Sequence, residues 1–412
     1  MRNNPFALWR LLTLVLLCCL ALTGHAARDD DEDDDEMDEV TPEELAMEDI
    51  PVDERIFLAK WNEVPFDKRF FTYTDEQLEE KWDYLMRGLL FPFPSAEFME
   101  DEFKKYPFLA EGIKDWDGKD FQALEKIYLN LWRQFFAGEF QSCRNESLNY
   151  GPLGEVTGLF CQLMYAIYLA DRQSEKYMML QDIANRAKRY FQEMEEYGIE
   201  QDDNPDVQAV AATVRLGYAY AIARIAEESP VPIVVARRYI GKIKGNAELI
   251  TEMMPQHPLG HAFRAGVDAG IMRRVGKFTG RMTYGARTTT VEDSFALALE
   301  MAPDIPIVSY EYGNALIYMN RKRNLNEAMR YLEQATRMQP QFSMDALDTM
   351  YAFKRLQEVK LFALNYRSFR KFEKDRRKFI RATDRNLTNV RAPALTMDML
   401  DNPDKYKLPE RE

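Results

Sequence analysis

Helical start and stop signals succeed one another along most of this chain, with no alternating strand pattern between them. Leu78, Trp82 and Leu85 recur at the spacing of one helix face, and Thr74 with Gln77 has the form of a capping box before them. Short breaks carrying Gly, Pro or Asn separate the segments, so consecutive helices are expected to pack as antiparallel hairpins. Further helices are predicted at 119–136, 139–148, 153–170, 173–197, 205–227, 231–254, 258–282, 290–301, 306–320, 325–338 and 343–382.

A repeat pattern is clearest near the end of this helical run. When Pro340 is placed at the end of a repeat of about 34 residues, Tyr312 falls at its first aromatic site. Small residues, Ala328 and Ala335, then occupy sites where two helices approach closely, and Leu332 fills the seam between them. The preceding segment repeats the ending at the same offsets with Phe295, Ala298 and Pro303.

With these residues the chain resembles the tetratricopeptide repeat family, strongly over about 290–342 and more weakly in earlier hairpins such as 205–226. Residues 255–315 also look like a group of exported proteobacterial tetratricopeptide proteins without a defined activity. The whole chain is broadly similar to the helical T-component of TRAP-type solute-uptake systems. The resemblance implies an all-α fold, a right-handed superhelical solenoid of tetratricopeptide-like hairpins, closed by a C-terminal capping helix.

The N-terminus predicts export. Arg2 and Arg10 flank an apolar run, residues 11–22, that ends on small residues near Ala26. This is the pattern of a secretory signal peptide, and the run is too short for a membrane-spanning helix. We therefore expect residues 1–26 to be cleaved and the mature chain to be periplasmic and not membrane-spanning.

Charge divides the rest of the chain into regions. Residues 28–55 hold 16 acidic and 2 basic side chains, which matches the net charge of −14 for the whole chain. This block cannot bury enough apolar surface to fold, so residues 27–55 are predicted to be a disordered acidic tail. The remaining regions are predicted as an N-terminal helical region, the repeats, a basic capping-helix region and a polar tail, at 56–118, 119–342, 343–391 and 392–412.

Two cysteines, Cys143 and Cys161, remain after cleavage. If the turn at 149–152 joins two antiparallel helices, the two residues are misaligned by roughly 6 Å along the helix axis. A disulfide within this hairpin is possible but not favoured, and two buried thiols are the simpler interpretation.

Candidate chemical sites are few. His257 and His261, four apart, form a weak metal candidate to which Asp268 could contribute a third ligand. Pro258 instead favours His257 as a helix-entry residue, so we predict neither a metal nor a cofactor. The sequence has no G-x-S-x-G, Walker or dinucleotide-binding motif, and Cys143 has no nearby histidine base. We expect no enzymatic activity.

The segment 354–391 holds 13 basic and 4 acidic residues with aromatic residues between them. That pattern can mark nucleic-acid binding. Its helical spacing and the predicted export favour a capping helix with a solvated charged face instead, so no nucleic-acid partner is expected.

Two functions remain open. The leading one is a periplasmic scaffold or adaptor that binds an envelope protein or peptide. In tetratricopeptide relatives the first helix of each hairpin lines the binding groove, and the resemblance places five residues there: Tyr310, Gly313, Ile317, Asn320 and Arg321. The alternative is carriage of a small apolar ligand in a TRAP-type system, in a cavity lined by residues such as Phe263 and Phe278.

Overall fold

The computed structural model describes residues 50–369, 371–376 and 387. Within these ranges the chain is dominated by helices, and its one β-bridge joins Ile113 to Tyr150. The predicted all-α fold class is confirmed. None of the described helices is both long enough and apolar enough to cross a bilayer. The predicted signal peptide, most of the acidic tail and the polar tail at 392–412 lie outside the described residues.

The helices follow in chain order. They are α1 Val52–Leu58, α2 Asp75–Leu85, α3 Ala96–Lys105, α4 Phe121–Ala137, α5 Phe140–Ser147, α6 Gly151–Tyr168, α7 Gln173–Glu196, α8 Pro205–Glu228, α9 Val231–Ala236, α10 Tyr239–Met253, α11 Pro258–Val275, α12 Lys277–Tyr284, α13 Thr288–Met301, α14 Pro306–Arg337 and α15 Ser343–Asn365. Short 3₁₀ turns lie at Lys68–Phe71, Pro107–Ala110 and Ile199–Gln201.

The first two helices show how local signals and single contacts fix the N-terminal elements. The capping box before α2 forms as predicted, because Thr74 Oγ1 accepts from Gln77 N at 3.3 Å and Gln77 Oε1 accepts from Thr74 N at 3.0 Å. Helix α1 begins at Val52, inside the range predicted to be disordered. Its Ile56 side chain is fully buried, and this contact anchors the end of the acidic segment.

From α6 onward the helices pack in two rows. Helices α6, α8, α11 and the first part of α14 lie side by side and form what we call the inner row. Helices α7, α10 and α13 and the second part of α14 pack between and against them as the second row. Each helix therefore contacts its neighbours in sequence, as expected for hairpins in series.

Helix α14 contains both helices of the last predicted repeat. Asn320 leaves the helical region, with φ −161° and ψ 86°, and the chain folds back on itself there. Ala328, Leu332 and Ala335 are fully buried in the seam, at the sites the repeat register gives them. A Cβ on Gly313 would lie 2.9 Å from Leu332 Cγ, so the two parts of α14 approach too closely for a larger residue.

Helix α15 departs from the predicted capping helix. It ends at Asn365, not near 382, and it covers more than the last repeat. Residues 343–350 are all buried, because α15 packs on α14 and also on α4 and α6. Ser343 Oγ donates to the Phe135 carbonyl at 2.6 Å, and the Phe342 ring contacts the Phe136 ring at 5.3 Å. The C-terminal helix thus joins α14 to the N-terminal helices.

Two segments predicted as single helices are each broken in the structure. The segment 231–254 divides into α9 and α10 at Arg238, which has a left-handed φ of 54°. The segment 258–282 divides into α11 and α12 at Gly276, whose φ of 81° glycine adopts readily. The breaks turn α9 and α12 away from the helices that they were expected to extend.

Cys143 and Cys161 form a disulfide with Cα atoms 6.5 Å apart, so the prediction of two separate thiols is wrong. Arg144 lies opposite Gln162, to which its Nε donates at 3.0 Å. The turn itself lies at residues 148–150, close to the predicted position. The error was to assume that residues equally far from the turn lie opposite each other, because Arg144 and Gln162 face each other and the two cysteines beside them are at the same level.

Candidate functional site

The inner row carries a group of charged side chains on the face that α15 and residues 371–376 cover. We call this group the interior polar cluster and define it as Arg224, Glu227, Glu311, Arg355 and Glu373. Its members come from α8, α14, α15 and the segment after α15. Residues far apart in sequence therefore meet on this face in two groups of contacts, one around Arg224 and one around Arg355, with Glu227 half exposed at its edge.

Arg224 holds the α8 side of the cluster. Its Nη1 atom donates to Glu227 Oε2 at 2.9 Å, and its Nη2 atom donates to Glu311 Oε1 at 2.9 Å. The same Nη2 reaches the Tyr220 hydroxyl at 2.5 Å, and the guanidinium lies 4.7 Å from the centre of that ring. Burial raises the pKa of Glu311, and the Arg224 charge opposes this rise.

Arg355 holds the α15 side. It is 4% exposed, and its Nε donates to Asn314 Oδ1 at 2.9 Å. Its Nη atoms pair with Glu358 at 3.2 Å and with Glu373 at 3.3 Å. Burial raises the pKa of Glu373, but the nearby arginines, Arg355 first, outweigh burial and lower it overall. The buried charge at Arg355 is thus compensated by two carboxylates and an amide oxygen.

Tyrosine rings join α15 to α14 and α6 on the same face. The Tyr351 ring of α15 lies 5.1 Å from the Tyr310 ring of α14 and 5.4 Å from the Tyr168 ring of α6. Tyr168 donates its hydroxyl to Asp348, which is 1% exposed. Burial raises the pKa of Asp348 well above its ordinary value, more than the tyrosine hydrogen bond lowers it. Burial therefore opposes ionisation of this carboxyl.

The predicted groove residues divide between this interior and its edge. Tyr310 and Ile317 are buried, Tyr310 against Tyr351 of α15. Asn320 is exposed at the kink, and Arg321 lies beside it with its guanidinium 6.0 Å from the Phe369 ring. Gly313 faces Leu332 in the second part of α14 and does not line the inner row. The surface expected to be an open groove is thus covered by the chain's own C-terminal helix.

The histidine pair engages backbone atoms. His257 caps α11, with its Nδ1 accepting from Gly260 N at 2.9 Å, and His261 Nε2 lies 2.7 Å from the Pro255 carbonyl. Asp268 accepts from Lys244 Nζ at 2.7 Å. Across the described residues, no group of three or more His, Cys, Asp or Glu side chains has the arrangement of a metal site.

The buried cap makes stability depend on pH. Burial lowers the pKa of His257 from 6.5 to about 4, so the folded chain keeps this ring neutral at a pH where the unfolded chain protonates it. The resulting stability is complete above pH 6.5 and is lost as the pH falls toward 4. We expect His257 to contribute a loss of about 1.5 kcal/mol between pH 6.5 and 5.

Urea unfolding at several pH values measures this slope in the wild type and in His257→Asn. Asparagine keeps a capping oxygen but does not titrate, so the variant should lose that part of the slope whatever its stability at neutral pH. An equal slope in both proteins would show that another group causes the pH dependence.

Cavities give little support to the small-ligand alternative. An apolar cavity between Leu259, Ile305 and Phe342 has a volume of about 10 Å³, the lower limit for one water molecule. Phe278 is 81% exposed, and Phe263 packs on Tyr220, so these two rings do not face a common cavity. An open cleft of about 650 Å³ beside Glu97, Glu100 and Asp101 is polar.

Sequence reasoning missed the interior polar cluster because no motif links its members. The basic character of 354–391 was visible, but Arg355 finds its partners only when α15 folds back over the inner row. No family model, curated protein or solved structure matches the chain.

Proposed function

We propose that this chain is an exported, non-catalytic scaffold of tetratricopeptide-like hairpins that binds an envelope protein or peptide. The observation that carries the proposal is the inner row itself, which already binds one helix, α15. The hydrogen bond from Arg355 to Asn314, the hydrogen bond to Asp348 and contacts between tyrosine rings hold that helix. A surface of this chemistry suits recognition of a peptide or helix.

The proposed architecture is a right-handed superhelical solenoid in which α15 both covers the last repeat and occupies part of the inner face. Support comes from the buried small-residue seam at Ala328 and Ala335 and from the two rows of helices. The acids and bases of the interior polar cluster pair with one another, which favours a role in holding α15 over a role in catalysis.

Export has independent support in the disulfide. Disulfides persist in oxidising compartments such as the periplasm, and both cysteines lie in the part of the chain predicted to survive cleavage. The bond therefore agrees with the signal-peptide pattern at residues 1–26.

The proposed partner contact is the edge of the inner row at the α14 kink. Asn320, Lys322 and Arg323 are exposed there, next to the covered interior. A photoreactive amino acid at Arg321 should form a defined adduct with an envelope protein or peptide in living cells, identified by mass spectrometry. The matched control is the same amino acid at Gln334, an exposed position on the second part of α14.

Lys322→Ala with Arg323→Ala should then reduce the yield of the adduct formed at position 321 while leaving the melting temperature unchanged, because both side chains are exposed and such substitutions rarely alter stability. Identical adducts from position 334, or none from position 321, would contradict the assignment of this edge.

A further inference from the structure

Two short helices expose apolar side chains that nothing in the described chain covers. Phe278 and Met282, one turn apart on α12, are 81% and 70% exposed. Val231 and Val235 occupy the same spacing on α9 and are 50% and 58% exposed. Each helix packs on the protein through a single buried residue, Val234 on α9 and Gly280 on α12. Large apolar side chains that are exposed to solvent on two neighbouring helices indicate a binding surface.

The starts of α9 and α12 are held together by Arg274. This residue lies three positions before α12, and its Nη1 donates to the Ala226 carbonyl at 2.5 Å. Its Nη2 donates to the Ser229 carbonyl, two positions before α9. The two exposed helices therefore begin at one edge of the molecule, where the C-termini of α8 and α11 meet.

The two exposed helices carry charge of one sign. Residues 231–238, which comprise α9 and the two residues after it, contain Arg237 and Arg238 and no acid, and α12 contains Lys277 and Arg281 and no acid. The exposed acids beside them, Glu227 and Glu228, lie at the end of α8. Arg237, Arg238, Lys277 and Arg281 are exposed, and no acidic side chain in the described ranges lies within ion-pair distance of them. The cations are thus available to an anionic surface.

The geometry points to an anionic lipid bilayer as the occupant, and we propose that α9 and α12 form a membrane-docking edge. Lys277 and Arg281 form one stripe along α12, and Phe278 and Met282 form the next stripe beside it. In an interfacial helix the apolar stripe enters the boundary between headgroups and acyl chains, while the cations reach the phosphates. The edge would hold the scaffold on a membrane without any spanning segment.

A lipid surface fits better than a protein partner for a physical reason. The apolar residues stand on the outer faces of short helices, and the accompanying charge is of one sign over both segments. Anionic headgroups present the complementary negative charge over any area, and an attraction of about 1 kcal/mol per cation corresponds to roughly a fivefold gain in binding.

Vesicle sedimentation of the mature exported protein, without the predicted signal peptide at residues 1–26, tests the proposal. We expect binding to vesicles of phosphatidylcholine with phosphatidylglycerol, weakened by salt, and much weaker binding to phosphatidylcholine alone. Lys277→Gln with Arg281→Gln should weaken the binding about 25-fold. Phe278→Ser with Met282→Ser should weaken it roughly 100-fold.

The matched control removes two exposed cations elsewhere, Lys119→Gln with Lys126→Gln, and should leave binding within about twofold of the wild type. A Phe278→Trp variant reports insertion directly, because its added fluorescence should shift to the blue only with the anionic vesicles. Three results would overturn the proposal: equal binding of the wild type to both vesicles, binding untouched by both α12 variants, or an oligomer in lipid-free buffer that the Phe278 and Met282 substitutions dissolve.

Discussion

Replacing Arg355 with alanine is expected to lower the free energy of unfolding by about 3–5 kcal/mol. Arg355 is 4% exposed and pairs with Glu358, Glu373 and Asn314 at once. Removing it leaves two carboxylates in a largely buried site with fewer cations, which costs more than the ion pairs themselves contribute. Urea unfolding at neutral pH measures the loss.

Arg330→Ala is the matched control, since Arg330 is exposed and pairs with Glu327 at 3.9 Å on the surface of α14. It should change stability by less than about 1 kcal/mol. A double-mutant cycle of Arg355→Ala with Glu373→Ala then measures the coupling free energy between these two side chains. Because the side chains are in contact, the stability losses of the two substitutions should not be additive. Equal effects of Arg355→Ala and Arg330→Ala would mean that α15 is not held by the interior polar cluster.

If the interior polar cluster holds α15 in place, the loss of stability in Arg355→Ala should begin with local unfolding of α15. Hydrogen exchange of α15 amides in Arg355→Ala should rise before that of α11, because only the former depends directly on this side chain. Uniform acceleration of exchange across both helices would favour a general loss of packing.

Local signals determined which parts of the fold could be predicted from the sequence. Ala328, Leu332 and Ala335 fell in the seam as expected, because the repeat register depends on residues close together in the chain. The α2 capping box formed for the same reason. Both examples involve contacts within one or two helices.

Features that depend on distant contacts were not predictable in the same way. Nothing near Arg355 in sequence indicates that its helix will reach Phe135 and Tyr168, since those residues lie more than a hundred positions earlier. The breaks at Arg238 and Gly276 arise from backbone conformations that periodicity does not report. The membrane-docking edge follows from those breaks, and so it too was hidden in segments predicted as continuous helices.

The disulfide shows how a small error in register changes a chemical conclusion, and it carries the last prediction. The bond closes a loop with a sequence separation of 18, and in the chain-entropy model a loop of that length contributes about 3 kcal/mol by restricting the unfolded chain. Reduction should therefore lower the free energy of unfolding by about 3 kcal/mol. Urea unfolding with and without a phosphine reductant measures this, and Cys143→Ala with Cys161→Ala, which lacks the bond, should be insensitive to the reductant. If alkylation shows both thiols reduced and the unfolding midpoint has not moved, the packing of α5 on α6 holds the hairpin without help from the bond. If the double variant responds to the reductant as strongly as the wild type, the reductant does not act through the Cys143–Cys161 bond.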